Sequence, residues 1–243
     1  MISSHVIRVT CTAILSTAIL SACGGGGGDN SGNAGTTNVA SQTSVASFPL
    51  QAGYKARVAN GATNEFAISG ACTGSARFST SSPTSSSATG TTYLISHTTA
   101  TSSFTNCTPS TSAVTTTTIY DTNYNLLGHG ITGVEYGEFK TAPLALPSSV
   151  KVGDTAVYGT ESLYTDTDKR FRKGERNYSY VVEPDGPSTA IVNLITKDFN
   201  TSNQLVVTQQ SKYRITADGA LTPVTMDIQF STTNTNHFIF SAK

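Results

Sequence analysis

The sequence predicts an all-β protein of antiparallel meander sheets, arranged as a sandwich or as a small or partial barrel, in one domain or two subdomains. Three observations predict it. Ser and Thr supply close to three residues in ten, and with Val, Ile, Tyr and Phe they suit a pleated surface. Stretches of Ala, Leu, Glu and Lys at helical spacing are missing, and Trp is absent. Apolar and polar residues alternate with period two, most clearly toward the C-terminal end.

Residues 54–58, 65–69, 76–79, 92–96 and 114–120 read as the strands of an N-terminal half. The Ser/Thr-rich segment 79–92 reads as a long loop or loose hairpin. Pro143 and Pro147, around Leu144-Ala145-Leu146, interrupt any continuing strand and divide subdomain 48–145 from subdomain 146–243. Residues 155–164 open the second half. Tyr178-Ser179-Tyr180-Val181-Val182 and residues 190–195 flank Pro184-Asp185-Gly186-Pro187 as a hairpin. Leu205, Val207, Tyr213 and Ile215 share one parity of residues 204–216. Ala217-Asp218-Gly219 then turns the chain, because Asp-Gly tolerates the positive φ of a tight hairpin. Val224, Met226, Ile228 and Phe230 continue the alternation, and Phe238-Ile239-Phe240 ends it. About six strands in this order must close into a barrel, or curl around a helix or partner, to protect their edges.

Fifteen Lys and Arg balance fifteen Asp and Glu, so no field draws this chain to nucleic acid. Catalytic motifs are thin. Gly128-His129-Gly130-Ile131-Thr132-Gly133 spells a dinucleotide fingerprint, but Val134-Glu135-Tyr136 follows where a helix belongs, so the segment reads as a glycine-rich β turn. Ser148-Ser149-Val150-Lys151 contains S-x-x-K without its S-D-N and K-T-G partners. Asp166 and Asp168 begin like a calcium loop, yet Lys169 and Arg170 follow where oxygen ligands are needed. No cofactor and no metal are expected. His129, beside His97 and His237, is the base a hydrolase would use; as a turn residue it reads as solvated. Lys169, Arg170, Arg172, Lys173 and Arg176 crowd a predicted hairpin loop with Asp166, Asp168 and Glu175. They read as a solvated turn or as an anion-facing tip for an envelope polymer or protein partner.

Near the start, Arg8 precedes an apolar run over residues 9–20, followed by Leu20-Ser21-Ala22-Cys23 and five glycines. A dozen apolar residues suit a secretory signal and fall short of the roughly 20 needed to span a bilayer. The segment resembles the lipobox signal of bacterial lipoproteins. That resemblance implies a signal peptide over residues 1–22, a lipidated Cys23 and, with Gly24 next, an outer-membrane destination. Each buried methylene of the acyl chains contributes about 0.8 kcal/mol, so two chains hold a protein to the membrane. Residues 23–47 read as a flexible tether of Gly, Ser, Thr, Asn and Ala, with a reach on the order of 25–30 Å. Cys11 falls in the signal and Cys23 under lipid, leaving Cys72 and Cys107 as a disulfide pair in an oxidising compartment. Gly70-Ala71-Cys72-Thr73-Gly74 and Tyr120-Asp121-Thr122-Asn123-Tyr124 also resemble segments of β-rich lipoproteins of Gram-negative bacteria, a likeness that brings no activity with it. The expected function is a membrane-anchored, non-enzymatic envelope lipoprotein that binds or organises envelope components. The alternatives are a carrier of a lipid-like ligand in a β cavity, or a hydrolase.

Overall fold

Period-two alternation builds the molecule. On the strand Ala62–Gly70 (β1), Phe66 and Ile68 are buried while Glu65, Ala67 and Ser69 are exposed. The computed structural model describes residues 45–88, 90–141, 145–231 and 237–243. The expected signal, Cys23, the tether up to residue 44 and Pro143 lie outside the described residues.

Among the described residues one helix, α1 (Leu50–Asn60), precedes β1. β2 (Gly74–Thr80), β3 (Thr84–Ala88), β4 (Thr91–Phe104), β5 (Thr111–Tyr120), β6 (Leu126–Ile131) and β7 (Glu135–Phe139) follow. Then come β8 (Thr155–Tyr164), β9 (Arg172–Gly186), β10 (Thr189–Asn200), β11 (Leu205–Thr216), β12 (Leu221–Phe230) and β13 (His237–Ala242). All pairings are antiparallel and join one sheet. β2 also pairs with β4, and β1 with β13, so twelve strands close into a barrel and β3 stands outside the ring on the first residues of β4. Closure satisfies the edges that an open meander would leave unpaired.

The expectation of an antiparallel meander holds, and the barrel takes both halves of the chain. The proposed boundary at 145/146 does not divide the sheet, because β7 and β8 on either side of it are hydrogen-bonded neighbours. The expected loop 79–92 carries β3. Residues 54–58 are helix rather than strand. Tyr54 and Val58 satisfy either period, but Leu50 extends their spacing to i, i+4, i+8, the stripe of a helix with one buried face. The β9–β10 turn falls at Pro187-Ser188, slightly beyond the expected Pro184–Pro187.

Two apolar clusters fill the barrel. Phe48, Leu50, Tyr180, Val182, Val192, Leu194 and Ile215 form the first, with Tyr213 and Leu221. Phe66, Ile68, Phe104, Phe238 and Phe240 form the second, with Ile228 and Val207. Since β11 and β12 each contribute to both, the clusters lie toward opposite ends of these strands. α1 belongs to the first. Phe48 and Val150 exchange backbone hydrogen bonds of 2.7 and 2.9 Å, which stitches its start to the wall. Gly53 approaches the β11–β12 turn so closely that a Cβ there would sit 2.0 Å from the Gly219 carbonyl oxygen. Only glycine fits at that contact.

The outward faces of β1, β2 and β4 are polar. His97, Thr99, Thr101 and Ser103 point out along β4, and Arg77, Ser79, Glu65 and Ser69 along β2 and β1. Among the described residues the exposed large apolar side chains are Val157 and Phe171. A barrel whose outside met hydrocarbon would reverse this pattern. No described helix is long and apolar enough to cross a membrane.

Candidate ligand-binding site

The polar exceptions to the apolar interior concentrate on the wall formed by β6–β10. His129 of β6, Glu135 of β7, Glu161 of β8, Arg176 and Tyr178 of β9 and Asp198 of β10 meet there. Their strands bring them together by register: Glu161 faces Arg176, and Arg176 faces Asp198. Glu161 is fully buried and Arg176 is 1 % exposed. Gly137 leaves the room they need, because a Cβ there would lie 2.5 Å from both the Glu161 carboxyl and the His129 ring.

Arg176 is the hub. Its Nε and Nη2 donate to Asp198 at 2.6 and 2.7 Å, and Nη2 also donates to Glu135 at 3.0 Å. Glu161 lies 3.8 Å from Nη1 and accepts a 2.7 Å hydrogen bond from the Tyr178 hydroxyl. Lys173 reaches Glu135 from the strand end at 2.8 Å. Three carboxylates thus surround a guanidinium, an ammonium and an imidazole. Buried charges of this kind persist only when paired and hydrogen-bonded. Burial alone would raise Glu135 and Glu161; Arg176 and His129 reverse that and hold both carboxyls below the ordinary range. The Tyr178 phenol is raised well above its ordinary value by burial and by Glu161, so it stays a donor.

His129 holds the network's titratable proton. Burial would push the ring down, but Glu161 at 2.9 Å from Nδ1 and Glu135 at 3.0 Å from Nε2 push it up to about 9. In the cation both ring N–H groups donate to carboxylates. In the neutral ring Nε2 would instead accept from Arg176 Nη1, 3.0 Å away. Because the folded value lies above the ordinary 6.5, this ion pairing contributes stability fully below pH 6.5 and loses it as pH rises through about 9. The two carboxylates act oppositely: their contribution is present above 4.5 and is lost as pH falls below it. A urea midpoint that declines between pH 6.5 and 9 in the wild type, and declines less in His129→Gln, is the expected result.

Beside this network the lumen holds a cavity of about 150 Å³. Its wall is aromatic and thioether on one side: Phe66, Phe78, Tyr120, Tyr213 and Met226. His129 and Tyr178 give it a polar border toward the charge network, and Tyr54, Arg57 and Val58 of α1 line it as well. Burial drives the Tyr120 phenol up to about 12, so it stays neutral. A hydroxyl row completes the lining. Thr80 faces Thr98 and Thr98 faces Thr116 across three adjacent strands. Thr80 and Thr98 hydrogen-bond at 3.0 Å, whereas the Thr116 hydroxyl, on a residue 2 % exposed, has no partner among the described residues. A buried polar atom without a partner costs about 1–3 kcal/mol, which a suitably placed ligand atom would recover.

The residues singled out in the sequence fare unequally. Cys72 and Cys107 form a disulfide with Cα atoms 5.8 Å apart. It joins the β1–β2 turn to the β4–β5 turn, so the 79–92 segment lies within the loop it closes. The basic cluster is not one surface. Lys169 pairs with Glu138, Arg170 with Asp168 and Arg172 with Glu175 at the exposed β8–β9 connection. Arg176 points into the barrel on the parity of Tyr178 and Tyr180, whereas Lys173, on the opposite parity and partly exposed, reaches Glu135 from the barrel rim. His129 is not a solvated turn residue; it lies in β6, with Thr132-Gly133-Val134 making the turn. His97 points outward to Thr117, and His237 opens β13 beside Asp227. Among the described residues no group of His, Cys, Asp and Glu is arranged to hold a metal ion, and Arg176 occupies the centre of the acidic cluster. Comparison with protein-family models, curated proteins and solved structures finds no match to this chain.

Glu135, Glu161, Asp198, Thr116 and Arg57 were not legible as site residues. One signal was available for Arg176: it shares strand parity with Tyr178, Tyr180 and Val182, so a charge stands on an apolar face. Such a charge must be paired inside.

Proposed function

We propose that this protein is a lipid-anchored, non-enzymatic envelope protein whose barrel carries a small, largely apolar ligand in its lumen. The observation that carries the reading is the cavity of about 150 Å³ inside a closed barrel, with an aromatic wall and a buried hydroxyl unpartnered among the described residues. That volume has room for one aromatic ring or a short acyl segment, on the benzene scale rather than that of a whole phospholipid. The polar outward faces of β1, β2 and β4 support an aqueous barrel, and Leu20-Ser21-Ala22-Cys23 supports an anchor on which it hangs. Against enzymatic chemistry stands the charge network: every carboxylate in it is engaged by a cation, and no hydroxyl or thiol nucleophile is hydrogen-bonded to His129 among the described residues.

Fluorine NMR of fluorobenzene with the purified protein tests the lumen. A bound resonance in the wild type that is lost in Thr116→Phe, with the fold retained by circular dichroism, is the expected result. Wild-type protein that leaves the fluorobenzene signal unchanged would remove the carrier reading. Intact-mass measurement of material from host membranes tests the anchor, and an unmodified Cys23 thiol would remove that part.

A further inference from the structure

We propose that the lumen is selective for a small organic carboxylate, with Arg57 as the residue that holds its charge; this rests on the carrier reading above. Arg57 stands in the last turn of α1, where a cation is favoured by the exposed carbonyl ends of the helix. It is half-buried and lines the cavity, yet among the described residues it has no carboxylate partner. Every other arginine there has one: Arg77 with Glu65, Arg170 with Asp168, Arg172 with Glu175, Arg176 with Asp198 and Arg214 with Asp185.

What Arg57 does touch keeps it in place without neutralising it. Its guanidinium lies 5.0 Å from the centroid of the Tyr213 ring, and its Nη1 is 3.5 Å from the Leu221 carbonyl oxygen. Neither contact carries a negative charge, and the guanidinium N–H groups that remain can meet a carboxylate, which they match in geometry. The cavity wall then supplies the body of the ligand site: Phe66, Phe78 and Met226 offer apolar contact. Thr116 supplies a second polar handle, buried and without a partner among the described residues. A cation, an aromatic wall and a spare hydroxyl around one cavity of about 150 Å³ describe a site for an acid on the scale of benzoate.

Titration calorimetry of the full chain with benzoate and with benzyl alcohol separates the charge from the shape. Benzoate is expected to bind about tenfold or more tightly than benzyl alcohol, the factor of one charge-assisted hydrogen bond. Arg57→Gln is expected to bring benzoate down to the level of benzyl alcohol while leaving benzyl alcohol unchanged, and Arg57→Lys to keep part of the preference. Equal affinities of the two probes for the wild type would overturn the carboxylate assignment and leave a neutral-ligand lumen standing. Binding of neither would overturn both. The wild-type comparison needs no variant to fold.

Discussion

Replacing Arg176 by Met is expected to destabilise the protein by about 3–5 kcal/mol, the cost of removing one partner from a buried ion network. The substitution keeps most of the side chain's bulk and removes its charge. Glu135, Glu161 and Asp198 would then face one another with His129 and Lys173 as the remaining cations. Urea unfolding at neutral pH reads the loss. The deficit should shrink on acidification, because carboxyls deprived of their guanidinium take up protons at higher pH than in the wild type. Arg170→Ala is the control. Its pair with Asp168 is exposed on both sides, and such pairs contribute less than about 1 kcal/mol. A loss at Arg176 no larger than at Arg170 would show that water reaches the network.

Opening the disulfide is expected to cost about 4 kcal/mol on the chain-entropy account of a loop of this length. Cys72 and Cys107 are separated by 35 residues, and the loop between them contains β2, β3 and β4. Their two turns are also joined by a 2.7 Å hydrogen bond from the Thr73 amide to Asn106 Oδ1 and a 3.0 Å bond from the Thr105 amide to the Thr73 carbonyl. These keep the turns adjacent in the folded state, so the covalent link acts chiefly on the unfolded chain. The double variant Cys72→Ala/Cys107→Ala should lower the urea midpoint, and wild-type protein unfolded in dithiothreitol should match it. A wild-type midpoint indifferent to reductant would contradict the account.

β12 was legible because apolar and polar side chains alternate along it. Met226, Ile228 and Phe230 alternate with Asp227, Gln229 and Ser231, and the register of β12 with β13 preserves that parity. The Asp218-Gly219 step also read correctly, since Gly219 takes φ +90° at the β11–β12 turn. A small or partial barrel was expected, but the pairings that close it were not legible. Closure depends on β1 meeting β13 and β2 meeting β4, pairings between segments whose own sequences carry no mark of the partner. α1 escaped notice because its Tyr54–Val58 spacing fits both periods and tertiary burial decides between them. The ion network escaped because its members are scattered from 129 to 198 and meet only through register. The cavity follows from barrel closure, so nothing local announces it.

The seam between β1 and β13 has a consequence for how the chain folds. Phe66 is paired with Ala242 and Gly70 with Phe238, so the first strand of the ring waits for a partner that follows all the other strands in the chain. Contacts of such long sequence separation form slowly. Until they form, an incompletely folded chain presents β1 with one row of amides and carbonyls open to any passing strand. Deletion of residues 237–243 would leave that row exposed permanently, a template on which another chain could pair.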